Sequence, residues 1–232
     1  MNGAKFSLVR FQRMCDTAVL LPPYSTHLRA SSSGGKVNFV GKTGNFWARF
    51  RVRAGYPVAA IYLILASPTL RWMAIGAVIA AFGLMTRAAA AGHLRKDQQL
   101  ATTGPYSRTR NPLYLGSALL AAGFIVAGHS LWAGVLVAVY FALFYFGAIR
   151  GEETRLRERF GVEFEAYAAR VPPFFPSLAA DEKEAAPAKE GTSGPFSWAQ
   201  YRRNREYQAL IGTLAGLGVL WLRMWFRARF GY

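Results

Sequence analysis

"LYLGSALLAAGFIVAGHSLWAGVLVAVYFALFYFGAI", Leu113 to Ile149, is two apolar runs joined at the short turn Ala127 to Ser130, with no Asp, Glu, Lys or Arg in either. Crossing about 30 Å of hydrocarbon takes roughly 20 helical residues, so each run qualifies as a span once its flanks are added. The stretch therefore predicts a membrane hairpin, Leu113 to Gly128 in one direction and Leu131 to Ile149 back. Whatever precedes Leu113 then lies on the same side as whatever follows Ile149.

Working outward, a third run, Trp72 to Thr86, is also long enough with its flanks, whereas Val58 to Ala66 and Ala209 to Leu222 fall short. Hydrophobic residues make up 53% of the chain and charged residues only 17%, which places it among membrane proteins. The expected fold class is all-α: a polytopic bundle of about four or five transmembrane helices plus an amphipathic interfacial helix. That last helix is expected in "RGEETRLRERFGVEFEAYAARVPPFFP", Arg150 to Pro176, where Leu156, Phe160, Phe164 and Tyr167 recur at helical spacing before Pro172 and Pro173 end it.

A net charge of +16 invites a nucleic-acid reading, but the charges are placed against it. Arg87, Arg95, Lys96, Arg108 and Arg110 fill one connection and Arg150, Arg155, Arg157, Arg159 and Arg170 another, while the turn near Ser67 holds only Arg71 and that near Gly128 none. This alternation follows the positive-inside rule and puts both basic connections in the cytoplasm. Arg49, Arg51 and Arg53 place the N-terminal side there too. The expected partners are the membrane and a lipid or hydrophobic small molecule, with no nucleic acid.

The expected organisation is a mobile basic extension over 1–48, a membrane core over 49–176, a solvated linker over 177–196 and a membrane-associated or spanning helix over 197–232. Gly55-Tyr56-Pro57 and Ser67-Pro68-Thr69 each suit a helix start. If Ala209 to Leu222 spans, Arg223, Arg227 and Arg229 land outside, against the charge rule; a re-entrant segment or a hairpin broken at Gly212, Gly216 and Gly218 would avoid this. Cys15 stands alone, so no disulfide forms within the chain. No Cys/His metal cluster or Gly-rich phosphate loop is present.

The hairpin brings two motifs to one face: "GPYSRTRNPLYLG", Gly104 to Gly116, and Glu152-Glu153. Tyr106 and Tyr114 offer faces for a ring, Arg108 or Arg110 a fork for a carboxylate or phosphate, and the glutamates acceptors for hydroxyls or an ammonium. Together they suit a zwitterionic, base-bearing cofactor. Asn111 and Pro112 open the following helix as cap and first residue. Singly, the tyrosines read as belt anchors, the arginines as topology determinants and Glu153 as a helical partner of Arg150. Only the converging set supports a ligand.

The first motif, followed one hairpin later by "EETRLRERFGVEFEAYAARVPPFFP", resembles the isoprenylcysteine carboxyl methyltransferase and phospholipid methyltransferase superfamily, whose hallmark is Arg-His-Pro-x-Tyr-x-Gly, a hydrophobic span, then Glu-Glu. The resemblance runs from about Gly55 to Pro176. It implies an integral-membrane methyltransferase that binds S-adenosylmethionine between its helices. Arg110, Pro112, Tyr114, Gly116, Glu152 and Glu153 match the motif positions and would line the pocket with Gly104, Tyr106 and Asn111. Asn111 replaces the family's histidine, and an amide cannot titrate near neutrality. Glu152, Glu153 and Arg110 are the candidate catalytic residues, with one glutamate orienting the cofactor or taking a proton from the acceptor. Isoprenylcysteine carboxylate, a phospholipid amine and a small hydrophobic molecule all remain open as acceptors. The rivals are a membrane reductase of the same architecture that uses NADPH and a non-catalytic membrane protein.

Overall fold

The computed structural model describes residues 40–95, 99–177 and 195–231. Residues 1–39, with Cys15, and 178–194, most of the expected linker, lie outside the described residues. Every regular element among the described residues is helical: α1 (Val40–Leu65), α2 (Leu70–His93), α3 (Pro105–Arg108), α4 (Pro112–Gly128), α5 (Leu131–Phe160), α6 (Val162–Ala168), α7 (Trp198–Arg203) and α8 (Tyr207–Phe230). Among them α2, α5 and α8 are long and apolar enough to cross a membrane. The protein is a polytopic membrane bundle.

α4 is the shorter of the two apolar helices of the hairpin, with 17 residues, about 25 Å at 1.5 Å per residue, at the lower limit for a span. α8, left open as a membrane-associated or spanning helix, is one unbroken helix of 24 residues. Gly216 does not break it, because the Phe124 ring packs where a side chain would be, 2.8 Å from the position of a Cβ. Nor does Pro57 start a helix: α1 already begins at Val40 and runs through it. A proline inside a membrane helix costs one backbone hydrogen bond, which neighbouring helices make tolerable.

The centre of the bundle is the antiparallel pair α2 and α4. Gly76 faces Gly123 and Ala127, and Gly83 faces Gly116 and Leu120, so backbone touches backbone along the seam. Small residues allow this approach, and dispersion contacts across it replace the hydrophobic effect that lipid removes. Around the pair, Tyr62, Ala66, Met73, Ala127, Ala133 and Leu220 form a core near the 66–69 and 128–130 turns. We call this the turn end. Its hydrogen bonds include Ser67 N–H to the Gly128 carbonyl (2.8 Å) and the Tyr62 hydroxyl to the Phe124 carbonyl, and Trp72 stacks on His129.

The same end explains the arginines that break the charge rule. Arg223 donates to the carbonyls of Ile64 (2.7 Å) and Ala66 (2.9 Å), and Arg227 to Ser67 Oγ (3.0 Å). The last carbonyls of a helix have no partner within it, so the two guanidinium groups cap α1.

The opposite end, the motif end, gathers residues 99–111, 150–177 and 195–206. Here the expected interfacial helix is corrected. Leu156 and Phe160 continue α5, which breaks only at Gly161 (φ 50°), and Phe164 and Tyr167 follow on the short α6. Their periodic apolar face covers protein instead of bilayer: Phe164, Tyr167 and Val171 bury against Leu100, with Leu156 and Phe160 packed on them.

Candidate functional site

Residues 104–111 carry the chain from α2 into α4. Gly104 has φ 61° and ψ −129°, a conformation open to glycine, and a Cβ there would lie 2.6 Å from the His93 ring. Asn111 and Pro112 do occupy the cap and first position of α4, but the Asn111 side chain makes no capping bond. Its amide instead donates to the Pro173 carbonyl at 2.9 Å.

That bond belongs to a strap. Arg110 N–H donates to the Pro172 carbonyl (2.9 Å), Ser177 N–H to the Arg108 carbonyl (2.9 Å) and Thr109 Oγ1 to the Phe174 carbonyl (2.9 Å). Prolines have no N–H, so "VPPFFPS" meets the first motif chiefly with acceptors, and the motif supplies the donors. The residue standing in for the family's histidine is thus committed to this strap.

The hairpin brings the two motifs into contact. Arg110 Nη1 lies 3.1 Å from Glu153 Oε1, with 14% of the arginine side chain and 22% of the glutamate side chain exposed. Arg110 Nε is buried with no hydrogen-bond partner, so one edge of the fork is left unsatisfied. Glu153 does not take Arg150, its neighbour at helical spacing; Arg150 lies over the Phe146 ring at 4.2 Å. Glu152 pairs with Arg155 at the solvent edge. Tyr114 meets Tyr145 edge-on (5.8 Å), and Tyr145 stacks on Phe141 (3.9 Å), so an aromatic wall runs from the first motif along α5.

Tyr106 is placed differently from Tyr114. Its ring is buried among Ala90, Ala101, Leu94 and Leu113, and its carbonyl accepts from the Tyr167 hydroxyl at 2.7 Å. Burial pushes the Tyr106 phenol well above its ordinary range; Tyr167, Glu206 and Glu152 add to the rise and Arg87 opposes it. Burial also raises the Tyr167 phenol, with Arg110 opposing. Both folded-state values exceed those of the unfolded chain, so the stability they confer is complete below about pH 10 and is lost as pH rises further. Only a neutral phenol can donate to the Tyr106 carbonyl. Thermal unfolding in detergent between about pH 9 and 12 is expected to show falling stability, with a shallower fall in Tyr167→Phe.

Sequence reasoning missed a second ion pair. Arg87 Nη2 lies 2.8 Å from Glu206 Oε2 and Arg87 Nε 3.0 Å from the same oxygen, with side chains 10% and 9% exposed. Arg87 Nη1 donates to Ser117 Oγ and to the Leu113 carbonyl (3.4 Å). The pair therefore ties the start of α8 to the first turns of α4. Gly116 serves the same contact: a Cβ there would lie 2.5 Å from Arg87 Cγ and 2.8 Å from the Gly83 carbonyl. Its role in this structure is helix-to-helix approach. One signal was available, since Glu206 is the only acidic residue after Glu190.

The C-terminal segment seals this end further. The Asn204 amide donates to the carbonyls of Ala91 (2.8 Å) and Leu94 (3.0 Å) at the end of α2, and Ser197 N–H to that of Gly92 (3.0 Å). The Phe196 ring fills the space where a Gly92 Cβ would be.

Comparison with known proteins bears on the same region. Residues 68–163 match the family model described as phospholipid methyltransferase. The chain is 42% identical over 84 residues to the nickel-cobalt-cadmium resistance protein NccN of Alcaligenes xylosoxydans xylosoxydans, covering 36% of this chain and 39% of that protein. It is 43% identical over 84 residues to the cobalt-zinc-cadmium resistance protein CzcN of Cupriavidus metallidurans, covering 36% and 38%. The chain thus spans under two-fifths of the length of these curated relatives. No solved structure matches. The family match takes in Arg87, Gly104 to Gly116 and Glu152-Glu153, and leaves out Glu206. The segment from 68 to 163, which builds the Arg110–Glu153 junction, is thus similar to the phospholipid methyltransferase family.

Proposed function

We propose that the protein is an S-adenosylmethionine-dependent methyltransferase acting on a lipid or lipid-like acceptor at the cytoplasmic rim of the membrane. The observation that carries this reading is the contact of Arg110 with Glu153 across the hairpin, beside a buried guanidinium nitrogen that has no partner. The residues present fit the cofactor's chemistry. Arg110 Nε suits a carboxylate, Glu153 an ammonium or hydroxyl, and Tyr114 the face of a base. When bound, S-adenosylmethionine supplies an electrophilic methyl group.

The chain's own residues then have to bind, orient and exclude water. Methyl transfer needs an aligned nucleophile and a dry approach, so positioning alone supplies much of the rate. Arg110 and Glu153 orient one another. The Tyr114, Tyr145 and Phe141 wall offers an apolar approach from the bilayer side, where a greasy acceptor would arrive. Glu152, whose partner Arg155 is exposed, is placed to take a proton from an acceptor amine or hydroxyl. Asn111, held by Pro173, has no part in proton transfer.

Purified protein is expected to bind S-adenosylhomocysteine and to ignore NADPH in calorimetry. Glu153→Gln and Tyr114→Ala are each expected to weaken that binding by about tenfold or more at unchanged abundance, the scale of one charge-assisted bond. Binding of NADPH alone would establish the reductase reading. Variants that change abundance but not affinity would establish a non-catalytic one. Transfer of a labelled methyl group into a lipid extract, with the product identified, names the acceptor.

A further inference from the structure

The first motif is gripped from two sides. On one, the strap takes Arg110 N–H at the Pro172 carbonyl and the Asn111 amide at the Pro173 carbonyl, both at 2.9 Å. On the other, Arg87 reaches across from α2: its Nη1 donates to Ser117 Oγ and to the Leu113 carbonyl (3.4 Å), and the Ser117 hydroxyl donates to that carbonyl too (2.9 Å). Leu113 is also tied to Tyr106, since its side chain packs on the cluster of Ala90, Ala101 and Tyr106. Tyr114 is the next residue along, turned about 100° round the helix to meet Tyr145 on α5. Arg87 therefore holds α4 beside the ligand-bearing residues, without being one of them.

Glu206 aims that grip. Its two carboxylate oxygens accept from Arg87 Nη2 (2.9 and 2.8 Å), and Oε2 accepts from Nε as well (3.0 Å), which fixes the guanidinium plane and directs Nη1 at α4. Glu206 stands at the start of α8, beyond the segment that matches the family model. We propose that Arg87 and Glu206 are positioning residues for the cofactor site: α8, through Glu206, aims Arg87, and Arg87 sets the first turn of α4 and with it Tyr114 and Arg110. The proposal rests on the methyltransferase reading for its ligand and adds to it a role for α8. A site that recognises its ligand with one fork and one ring needs both held to within about 0.5 Å. A buried arginine with Glu206, Ser117 and Leu113 all engaged meets that need, because its planar fork holds partners on two edges at once.

The test is S-adenosylhomocysteine binding by the full chain in detergent, read by calorimetry beside thermal unfolding and hydrogen exchange. Arg87→Met with Glu206→Leu strands no charge and is expected to keep most of the parent's stability. It is nevertheless expected to bind about tenfold more weakly, the scale of one misaligned charge-assisted bond, and to exchange faster over 113–117. Ser117→Ala is expected to weaken binding by about threefold, and to add nothing when combined with that double variant. Asn204→Ala, which cuts the tie of the same C-terminal segment to the carbonyls of Ala91 and Leu94, is expected to lower the melting temperature yet bind within about twofold of the parent. Parent-like affinity in the Arg87/Glu206 double variant and in Ser117→Ala would overturn the proposal. So would a loss in Asn204→Ala as large as in the double variant, which would mean a general loosening of this end. A parent that binds no S-adenosylhomocysteine would overturn the methyltransferase reading; exchange over 113–117 then decides the grip on α4 by itself, and unchanged exchange in the double variant would overturn that too.

Discussion

Glu206→Ala is expected to destabilise the protein by about 3–5 kcal/mol, the cost of leaving a buried charge without its partner. The geometry puts this pair at the severe end of ion-pair deletions. Both guanidinium faces toward Glu206 are engaged, at 2.8–3.0 Å, and the remaining nitrogen is committed to Ser117 and Leu113. Arg87 cannot swing to water without also releasing the first turns of α4, and with them the Arg110 side of the site. Replacing both partners by apolar residues, Arg87→Met with Glu206→Leu, is expected to recover most of the loss, since no charge is then stranded. Thermal unfolding in detergent checks both. A Glu206→Ala protein within about 1 kcal/mol of the parent would show that water reaches Arg87 after all.

Why that pair escaped a reading of the sequence is a matter of range. The hairpin from Leu113 to Ile149 was legible because apolar length, a charge-free interior and the His129-Ser130 turn are local signals. The meeting of Arg110 with Glu153 followed from it, since a hairpin fixes which ends share a side. Arg87 carried no such signal. An arginine at the end of an apolar run reads as a topology marker whether it reaches solvent or turns inward, and its partner lies on a helix whose placement no periodicity reveals. The partners of the arginines at 223 and 227 were not legible for a related reason. The charge rule counts residues by side, while their hydrogen bonds go to the carbonyls and the Ser67 hydroxyl at a helix end far away in sequence.

Backbone partners account for the other differences. The motif Leu156, Phe160, Phe164 and Tyr167 has the period of a surface helix, and period alone does not say whether lipid or Leu100 covers the face. Asn111 before Pro112 has the composition of a cap, yet its amide goes to Pro173, an acceptor that only the fold brings near. The same bond gives a physical account of the missing histidine: a side chain that must donate to a carbonyl in a buried strap is served by an amide at any pH. The family match ends at 163, and the strap and Glu206 beyond it hold the motif end together.

Gly123→Val is expected to have the largest effect of any single change in the spanning region, because both sides of the α2–α4 seam are backbone. A Cβ at 123 would lie 2.7 Å from the Gly76 carbonyl and 2.9 Å from Ala80 N, and a Cβ at 76 would lie 2.4 Å from the Gly123 carbonyl. A flexible side chain could move aside; a helix backbone has to translate as a unit. Separating the helices to admit a valine would strip dispersion contacts along the whole seam and pull Gly116 from Arg87. Overpacking ordinarily costs about 1–3 kcal/mol, and a seam with no side chain to yield belongs at or above the top of that range. Gly147→Ala is the matched control, since nothing lies within 4 Å of a Cβ there. It is expected to gain about 0.5–1 kcal/mol from helix propensity alone. Folded yield and melting temperature in detergent read both changes. A Gly123→Val protein that melts with the parent would mean that α2 and α4 do not touch through their backbones.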